Sequence, residues 1–500
     1  MSPKPAPNLA PPAGQPVAPQ STLGSVLIIV LWVAVGLTAI TLTLAHSMIM
    51  TYRSADNELA GRQAQQAIEG VARYVVDLLA AGNSSGVPGE MLDQTSYYNE
   101  AAPLGEATFW ILGQPDESDS SNQPVFGLVD EASKININTA TVGVLTALPG
   151  MTEELAAAII DWRDADDDIT SDGSVSGAES ETYMLRSPAY AAKNKPFESI
   201  EELALVNGAT YEILYGEDAN LNGLLDPNED DRDASAPADN GDGKLEHGIL
   251  QYLTCFSRES NKRSDGTPRF NVGARILDGG LQVYMATKGI DANRVAEITA
   301  ALATSPEAPN SVLDFYVKGA LTATEIASII DDIYAVPTAP GAPPAATAPE
   351  FVEGLINVNT ASETVLSCIP GIGTDNASTL VASRTQQSSL GSNIAWVVDV
   401  LGKENVAQYG RFLTGRVSQV SADIAAVGRN GRGYRRTKFV IDTTPAPTTT
   451  SSTTDSSSTT TSTSSGTPTP RIIYRRDLSS LGWALGSQAR QDLALQRGNR

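Results

Sequence analysis

Ser25 to Met50 reads SVLIIVLWVAVGLTAITLTLAHSMIM and contains no Asp, Glu, Lys or Arg. At a helical rise of ~1.5 Å per residue it spans ~39 Å, more than a hydrocarbon core of ~30 Å. Everything C-terminal to it is then delivered to one side of a membrane. A cleavable secretory signal is the competing reading. The run is longer than an ordinary signal core, however, and no small-residue cleavage site follows before Thr51.

Working outward, residues 1–24 are rich in Pro, Ala and Gln with Lys4 as their single basic residue, which suits a short leader. Arg53 and Arg62 follow the apolar run, so charge counting leaves the orientation open and the large soluble C-terminal part argues for export. Ala60, Ala64, Ala67, Ile68, Val71, Val75, Leu78 and Leu79 recur at helical spacing, which extends the membrane helix as one amphipathic rod to about Ala81. Gly82, Asn83 and Gly86 supply its stop. Thr108–Leu112 and Pro124–Val129, separated by the turn-rich Asp116–Gln123, predict a hairpin. Arg416–Val427 and Tyr434–Ile441, joined by a Gly-rich turn, predict a second pair of strands, and Arg471–Tyr474 a last one before a frayed polar tail.

Between those strands the pattern is helical and repeats. Ile135-Asn-Ile-Asn-Thr-Ala140 with Leu148-Pro-Gly150 recurs as Ile356-Asn-Val-Asn-Thr-Ala361 with Ile369-Pro-Gly371. Each copy predicts a capped helix, a Pro-Gly turn and a second helix, Glu153–Trp162 and Asp375–Arg384. Arg269-Phe-Asn-Val-Gly273 resembles the opening of another such unit. Ala339–Ala348 is a Pro/Ala-rich linker, and Thr443–Pro470 is a Ser/Thr/Pro tract too polar to pack.

With 500 residues, 41% hydrophobic content and a net charge of −24, the chain can build more than one core but lacks the basic surface that sequence-independent nucleic-acid binding requires. The two cysteines, Cys255 and Cys368, allow one bridge at most. No His-Glu-x-x-His pattern occurs, and the two histidines, His46 in the apolar run and His247 beside an acidic loop, offer little to nucleophilic catalysis.

Acidity can instead serve a metal. Asp218-Ala-Asn-Leu-Asn-Gly-Leu-Leu-Asp-Pro-Asn-Glu229 fits the EF-hand calcium loop: Asp218, Asn220 and Asn222 as alternating oxygen donors, Gly223 for the turn, the Leu224 carbonyl, Asp226 ninth and Glu229 twelfth. A solvated Asn/Asp/Gly turn is the bland alternative. Asn240 and Asp242 with Glu246 resemble a second loop, with Ala238 where the first carboxylate belongs. Asp164, Asp166, Asp167, Asp168 and Glu179 form a further acidic cluster, open to a cation or to water. The Pro-Gly hairpins invite a helix-hairpin-helix reading in which backbone N–H groups hold a DNA phosphate, but Glu153 and Glu154 follow the first at once and would repel one.

The ordered series Gly24-Ser-Val-Leu-Ile-Ile-Val-Leu-Trp32, Asn136-Ile-Asn-Thr-Ala140 with Leu148-Pro-Gly150, and Asp161-Trp-Arg-Asp164 with Gly177-Ala-Glu179 resembles the type II secretion minor pseudopilin K family, general secretion pathway protein K. Tyr190, Asn194, Pro196-Phe197, Glu202-Leu203, Val206 and Gly208 continue the resemblance. It implies an α+β pilin-like fold: a long N-terminal helix on a small antiparallel sheet, with a large inserted α-helical domain containing helix-hairpin-helix-like repeats. The expected organisation is a leader (1–24), a membrane helix (25–50), a first pilin-like part (51–130), the inserted domain with its calcium loops (131–405), pilin-like strands (406–442), the Ser/Thr/Pro loop (443–470), and a last strand and tail (471–500).

The resemblance further implies cleavage by a prepilin peptidase after Gly24, methylation of Ser25, and a non-enzymatic role at the tip of a periplasmic pseudopilus with the I and J type minor pseudopilins. The subunit would sit in the inner membrane in contact with lipid, bind calcium, and bind no nucleic acid. No basic residue directly precedes Gly24, and the Ser/Thr tract is a departure from the family pattern. Pilin-like subunits generally carry a glutamate at the fifth mature position, where this chain has Ile29, which suits a subunit with no neighbour ahead of it. The alternative from another class is a membrane-anchored helix-hairpin-helix DNA receptor.

Overall fold

The apolar run and the amphipathic stretch after it form one helix, α1 (Leu23–Ser84), in the computed structural model, which describes residues 23–84, 91–115, 121–172, 175–232, 234–263, 267–274, 276–335, 349–386, 391–444 and 469–498. The leader up to Thr22, Gly86 of the expected helix stop, residues 116–120 of the expected turn, the Ala339–Ala348 linker and residues 445–468 of the Ser/Thr/Pro tract lie outside them. The chain divides into two compact units at Leu59. In the first, the side chains from Val26 to Met50 are exposed. Among the described residues α1 is the one helix long and apolar enough to cross a membrane.

The second unit begins with the remainder of α1 lying on an antiparallel sheet. Its strands are β1 (Ala102–Leu104), β2 (Ala107–Leu112), β3 (Val129–Asp130), β4 (Gln419–Gly428), β5 (Arg432–Asp442) and β6 (Arg471–Asp477), in the order β1-β2-β4-β5-β6, with β3 also pairing with β4. Side chains alternate across a strand, so Val420, Ala422, Ile424 and Ala426 pack with Phe109, Phe439 and the Ile68, Val71 and Val75 stripe of α1. Trp110, Leu112, Ala425 and Val427 face the other way. At the β4–β5 turn a Cβ on Gly428 or Gly433 would overlap the Ala60–Gly61 backbone, and Gly433 has φ +67°, so glycine lets helix and turn meet at main-chain distance.

Three expectations need correcting. The hairpin partner of β2 is β1, through a turn at Gly105 (φ +63°); Pro124–Val129 instead returns beside β2 through a single bridge, Leu112 to Phe126, and ends as β3. The polar tail is not frayed: Trp483, Ala484 and Leu485 cover the outer sheet face and lead into a helix, Gly486–Gly498, whose Leu493 packs there too. The helical part also runs past residue 405, because Leu413–Thr414 pairs in parallel with Ile356–Asn357 and β4 starts only at Gln419.

Residues between β3 and β4 in sequence have their own core, which includes Leu155, Ile159, Leu302, Phe315 and Leu380. Helices Val142–Thr146 and Glu153–Arg163 form one hairpin, Glu363–Ser367 and Gly373–Arg384 another. In each, the last-turn arginine reaches back to the opening: Arg163 donates to the carbonyls of Ile137 and Ala140, Arg384 to that of Ala361. Each opening asparagine accepts from the backbone two residues on, Asn136 Oδ1 from Asn138 at 2.9 Å and Asn357 Oδ1 from Asn359 at 3.0 Å. Asn271 Oδ1 does the same to Gly273 at 2.8 Å, and Phe270–Asn271 pairs in parallel with Ile333–Tyr334 as Ile135–Asn136 does with Leu253–Thr254. Cys255 and Cys368 are not joined in a disulfide.

Candidate metal-binding loops

The Asp218–Glu229 loop leaves a short helix, Tyr211–Tyr215, at Gly216 (φ +60°) and turns at Gly223 (φ +71°), where positive φ favours glycine. Asp218, Asn220, Asn222, Leu224 and Glu229 are buried. Asp218 accepts from the backbone of Asn222 (3.0 Å) and Gly223 (2.9 Å), and Asn222 Oδ1 accepts from Leu224 (2.7 Å). Asp226 Oδ2 accepts from the side-chain amides of Asn220 (2.7 Å) and Asn222 (3.0 Å). Glu229 accepts from the backbone of Ala219 (3.1 Å) and Asp226 (3.0 Å).

Asp218, Asn220, Asn222, Asp226 and Glu229 thus share one hydrogen-bonded loop, and Asn220 Oδ1 is buried there with no hydrogen-bond partner among the described residues. Burial, helped by the nearby Asp218 and Asp226 carboxylates, pushes Glu229 up to about 8; burial also raises Asp218. A hard cation would relieve that repulsion and use the spare oxygen. Among the described residues no three His, Cys, Asp or Glu side chains already stand in metal-holding geometry, so the carboxylates would exchange backbone amides for the ion.

What fixes the loop in place is a residue that sequence reasoning missed. Arg436 on β5 is buried, donates to both oxygens of Asp423 on β4 (2.6–3.1 Å), and donates to the carbonyls of Asn220 and Leu221 (2.6 Å each). Asn220 Nδ2 also donates to the Trp483 carbonyl (3.4 Å), and Asn122 brackets Leu225 with two bonds (2.8 and 2.9 Å). Sheet, C-terminal segment and loop are therefore stitched together at one place.

The second loop differs. Asn240, Asp242 and Glu246 are not buried; Asn240 donates to Glu246 (2.9 Å) and accepts from the Asp242 backbone (2.8 Å). The buried carboxylate beside it is Glu217, which accepts from the backbones of Glu246 (2.9 Å) and Asn240 (3.4 Å) and is raised by burial.

In the third cluster the structure brings Asp164 and Glu179 together around Asp161, which sequence reasoning placed only in a motif. Asp161 is fully buried; its Oδ1 accepts from the Thr170 backbone (2.9 Å), while among the described residues its Oδ2, Asp164 Oδ1 and both Glu179 oxygens have no hydrogen-bond partner. Burial and the Asp161 and Asp164 charges push Glu179 up to about 7. Gly177 is required here because a Cβ would run into the Asp161 carboxylate. Asp166 is exposed and accepts from the Asp168 backbone (3.0 Å), and Asp167 accepts from Asn194 (3.1 Å), so both stand at the rim. The i, i+3 spacing of Asp161 and Asp164 at a helix end was the available signal.

At the first Pro-Gly hairpin Thr152 caps the following helix by accepting from Leu155 (3.1 Å), and Glu153 and Glu154 fill the first turn. The second has Asp375 there. Both first turns present carboxylates where a phosphate would need to dock.

Residues 128–215 match the family described as type II secretion system (T2SS), protein K. Among solved structures, the chain is similar to one in the crystal structure of the GspK-GspI-GspJ complex from the enterotoxigenic Escherichia coli type 2 secretion system. That similarity has 11% identity and a TM-score of 0.37, covering 85% of this chain and 99% of that one. No curated protein matches the chain.

Proposed function

We propose, from the match of residues 128–215 to the type II secretion system protein K family, that this chain is a minor pseudopilin, a structural and non-catalytic subunit of a secretion pseudopilus. That match carries the reading, because it spans the first hairpin, the Asp161–Glu179 cluster and Asn194 to Gly208 in one stretch. The α1 helix, apolar and exposed from Val26 to Met50, supports a single membrane anchor that packs among neighbouring subunit helices after assembly. The sheet on the remainder of α1 supports a pilin-like body, with residues 131–418 as a helical domain inserted between β3 and β4.

In this reading a prepilin peptidase cleaves after Gly24, Ser25 becomes the methylated N-terminus, and the body lies on the periplasmic side of the inner membrane. Ile29 at the fifth mature position suits the subunit at the tip, joined to I and J type partners. Calcium, held by Asp218, Asn220, Asn222, Leu224, Asp226 and Glu229, would neutralise the loop that Arg436 pins to the sheet. N-terminal mass analysis of the membrane-derived protein tests the reading: a chain beginning at methylated Ser25 supports it, and an uncleaved Met1 start in cells with active prepilin peptidase refutes it.

A further inference from the structure

The Asp218–Glu229 loop meets the C-terminal segment at two of its residues, Asn220 and Leu224. Asn220 Nδ2 divides its N–H groups between two acceptors, Asp226 Oδ2 at 2.7 Å and the Trp483 carbonyl at 3.4 Å. The carboxylate has the short bond and the carbonyl keeps the long one. Leu224 is buried, with Cδ1 3.4 Å from the position a Cβ on Gly486 would take, where the C-terminal helix begins. Beyond this junction the segment is held by contacts to the sheet. The Trp483 ring lies 4.9 Å from that of Tyr434, the Ala484 amide donates to the Tyr434 hydroxyl (3.3 Å), and Leu485 and Leu493 pack with Trp110, Leu112 and Val427.

We propose that cation binding by this loop and docking of the C-terminal helix on the sheet are coupled, each strengthening the other. The inference rests on the calcium reading of the Asp218–Glu229 loop and deepens it, because Asn220 and Leu224 are at once expected ligands and the residues that touch the C-terminal segment. Asn220 Oδ1 has no hydrogen-bond partner among the described residues. Once it faces a cation, the amide is polarised and its N–H groups become stronger donors. As Asp226 exchanges those N–H groups for the cation, the Trp483 carbonyl remains as their acceptor. A Leu224 carbonyl fixed by the same cation holds the Leu224 side chain against Gly486. The coupling is reciprocal by necessity: whatever factor the cation adds to docking, docking adds to cation affinity. When calcium is too dilute to fill the loop, the C-terminal helix therefore leaves the sheet more often and bares Trp110, Leu112 and Val427.

The full chain in detergent micelles is compared in calcium and in chelator by amide hydrogen exchange with mass spectrometry, and its calcium affinity is measured by calorimetry. Calcium should slow exchange in residues 483–498 by about fivefold or more, the lower end of ordinary coupling between two sites. Asp226→Asn, which removes a loop carboxylate at a part-exposed position, should abolish that effect, and this separates the loop from any other calcium-binding acid on the chain. In the opposite direction, Leu493→Ser and Trp483→Ala loosen the helix without touching a loop ligand. Each should weaken calcium affinity by about fivefold, with melting in chelator confirming that the variant is folded. A parent chain that binds no calcium overturns the calcium reading and this inference with it. Calcium binding with unchanged exchange in 483–498, or a calcium effect that persists in Asp226→Asn, overturns the coupling alone, as does equal affinity in a folded Leu493→Ser or Trp483→Ala chain.

Discussion

Replacing Arg436 by Met is the sharpest perturbation of this fold, because one side chain joins the sheet to the candidate calcium loop. The guanidinium is 1% exposed; it donates to both oxygens of Asp423 and closes on the carbonyls of Asn220 and Leu221 at 2.6 Å each. Methionine fills much of the volume but donates nothing, leaving a half-buried carboxylate, the buried Asn220 carbonyl and the half-buried Leu221 carbonyl without their partner. Breaking a buried pair by removing one member costs about 3–5 kcal/mol. Asp423, its side chain 16% exposed, recovers some solvation, which places the expected loss near the lower end, about 3 kcal/mol. Urea unfolding followed by tryptophan fluorescence reads this where it matters, since the Trp483 carbonyl accepts from Asn220. The double variant Arg436→Met with Asp423→Asn should recover part of the loss, because it removes the orphaned charge. A cost under about 1 kcal/mol, or no recovery in the double variant, would show that the loop is not held by this residue.

Glu229→Gln removes the carboxylate that burial and its neighbours push up to about 8; the variant should melt no lower than the parent in chelator yet lose calcium affinity by about tenfold or more, measured by calorimetry. Asp130 is buried, accepting from Asn357 (2.8 Å) and Thr360 (2.7 Å), and burial raises it to about 7. Its folded pKa exceeds the unfolded one, so its contribution is complete below pH ~4 and disappears as pH rises through ~7; Asp130→Asn should flatten that slope in melting temperature against pH. Gly433→Ala must place a Cβ against the Ala60–Gly61 backbone at φ +67°, and should cost about 2 kcal/mol or more in urea unfolding, whereas Gly143→Ala, with open space around it, should cost almost nothing.

Long-range order in this chain was legible where one residue type had one job. The α1 span followed from an uncharged apolar run merging into a 3.6-residue stripe, and the two hairpins followed from an identical Asn and Pro-Gly spacing. Strand β1 was hidden because Ala102-Pro-Leu104 is three residues long and contains a proline, which sits acceptably on a sheet edge. The C-terminal helix was hidden because a polar composition says nothing of Trp483, Ala484 and Leu485 packing on the sheet. At the site, the EF-hand spacing marked residues that the structure gathers into one hydrogen-bonded loop, since those positions are local in sequence. Arg436 lies more than two hundred residues from the carbonyls it holds, and no local pattern encodes such a pairing. Asp161 escaped as a cluster member because helical residues reveal their partners only once the chain has turned back through Gly177.

The central claim, that this chain is a minor pseudopilin, is tested most directly by co-expressing it with the I and J type minor pseudopilins of its own secretion system and purifying through a tag on this chain alone. The account predicts that both partners co-elute with it as one species on size exclusion in detergent. Recovery of the folded chain by itself, with both partners folded and present in the same extract, would contradict it.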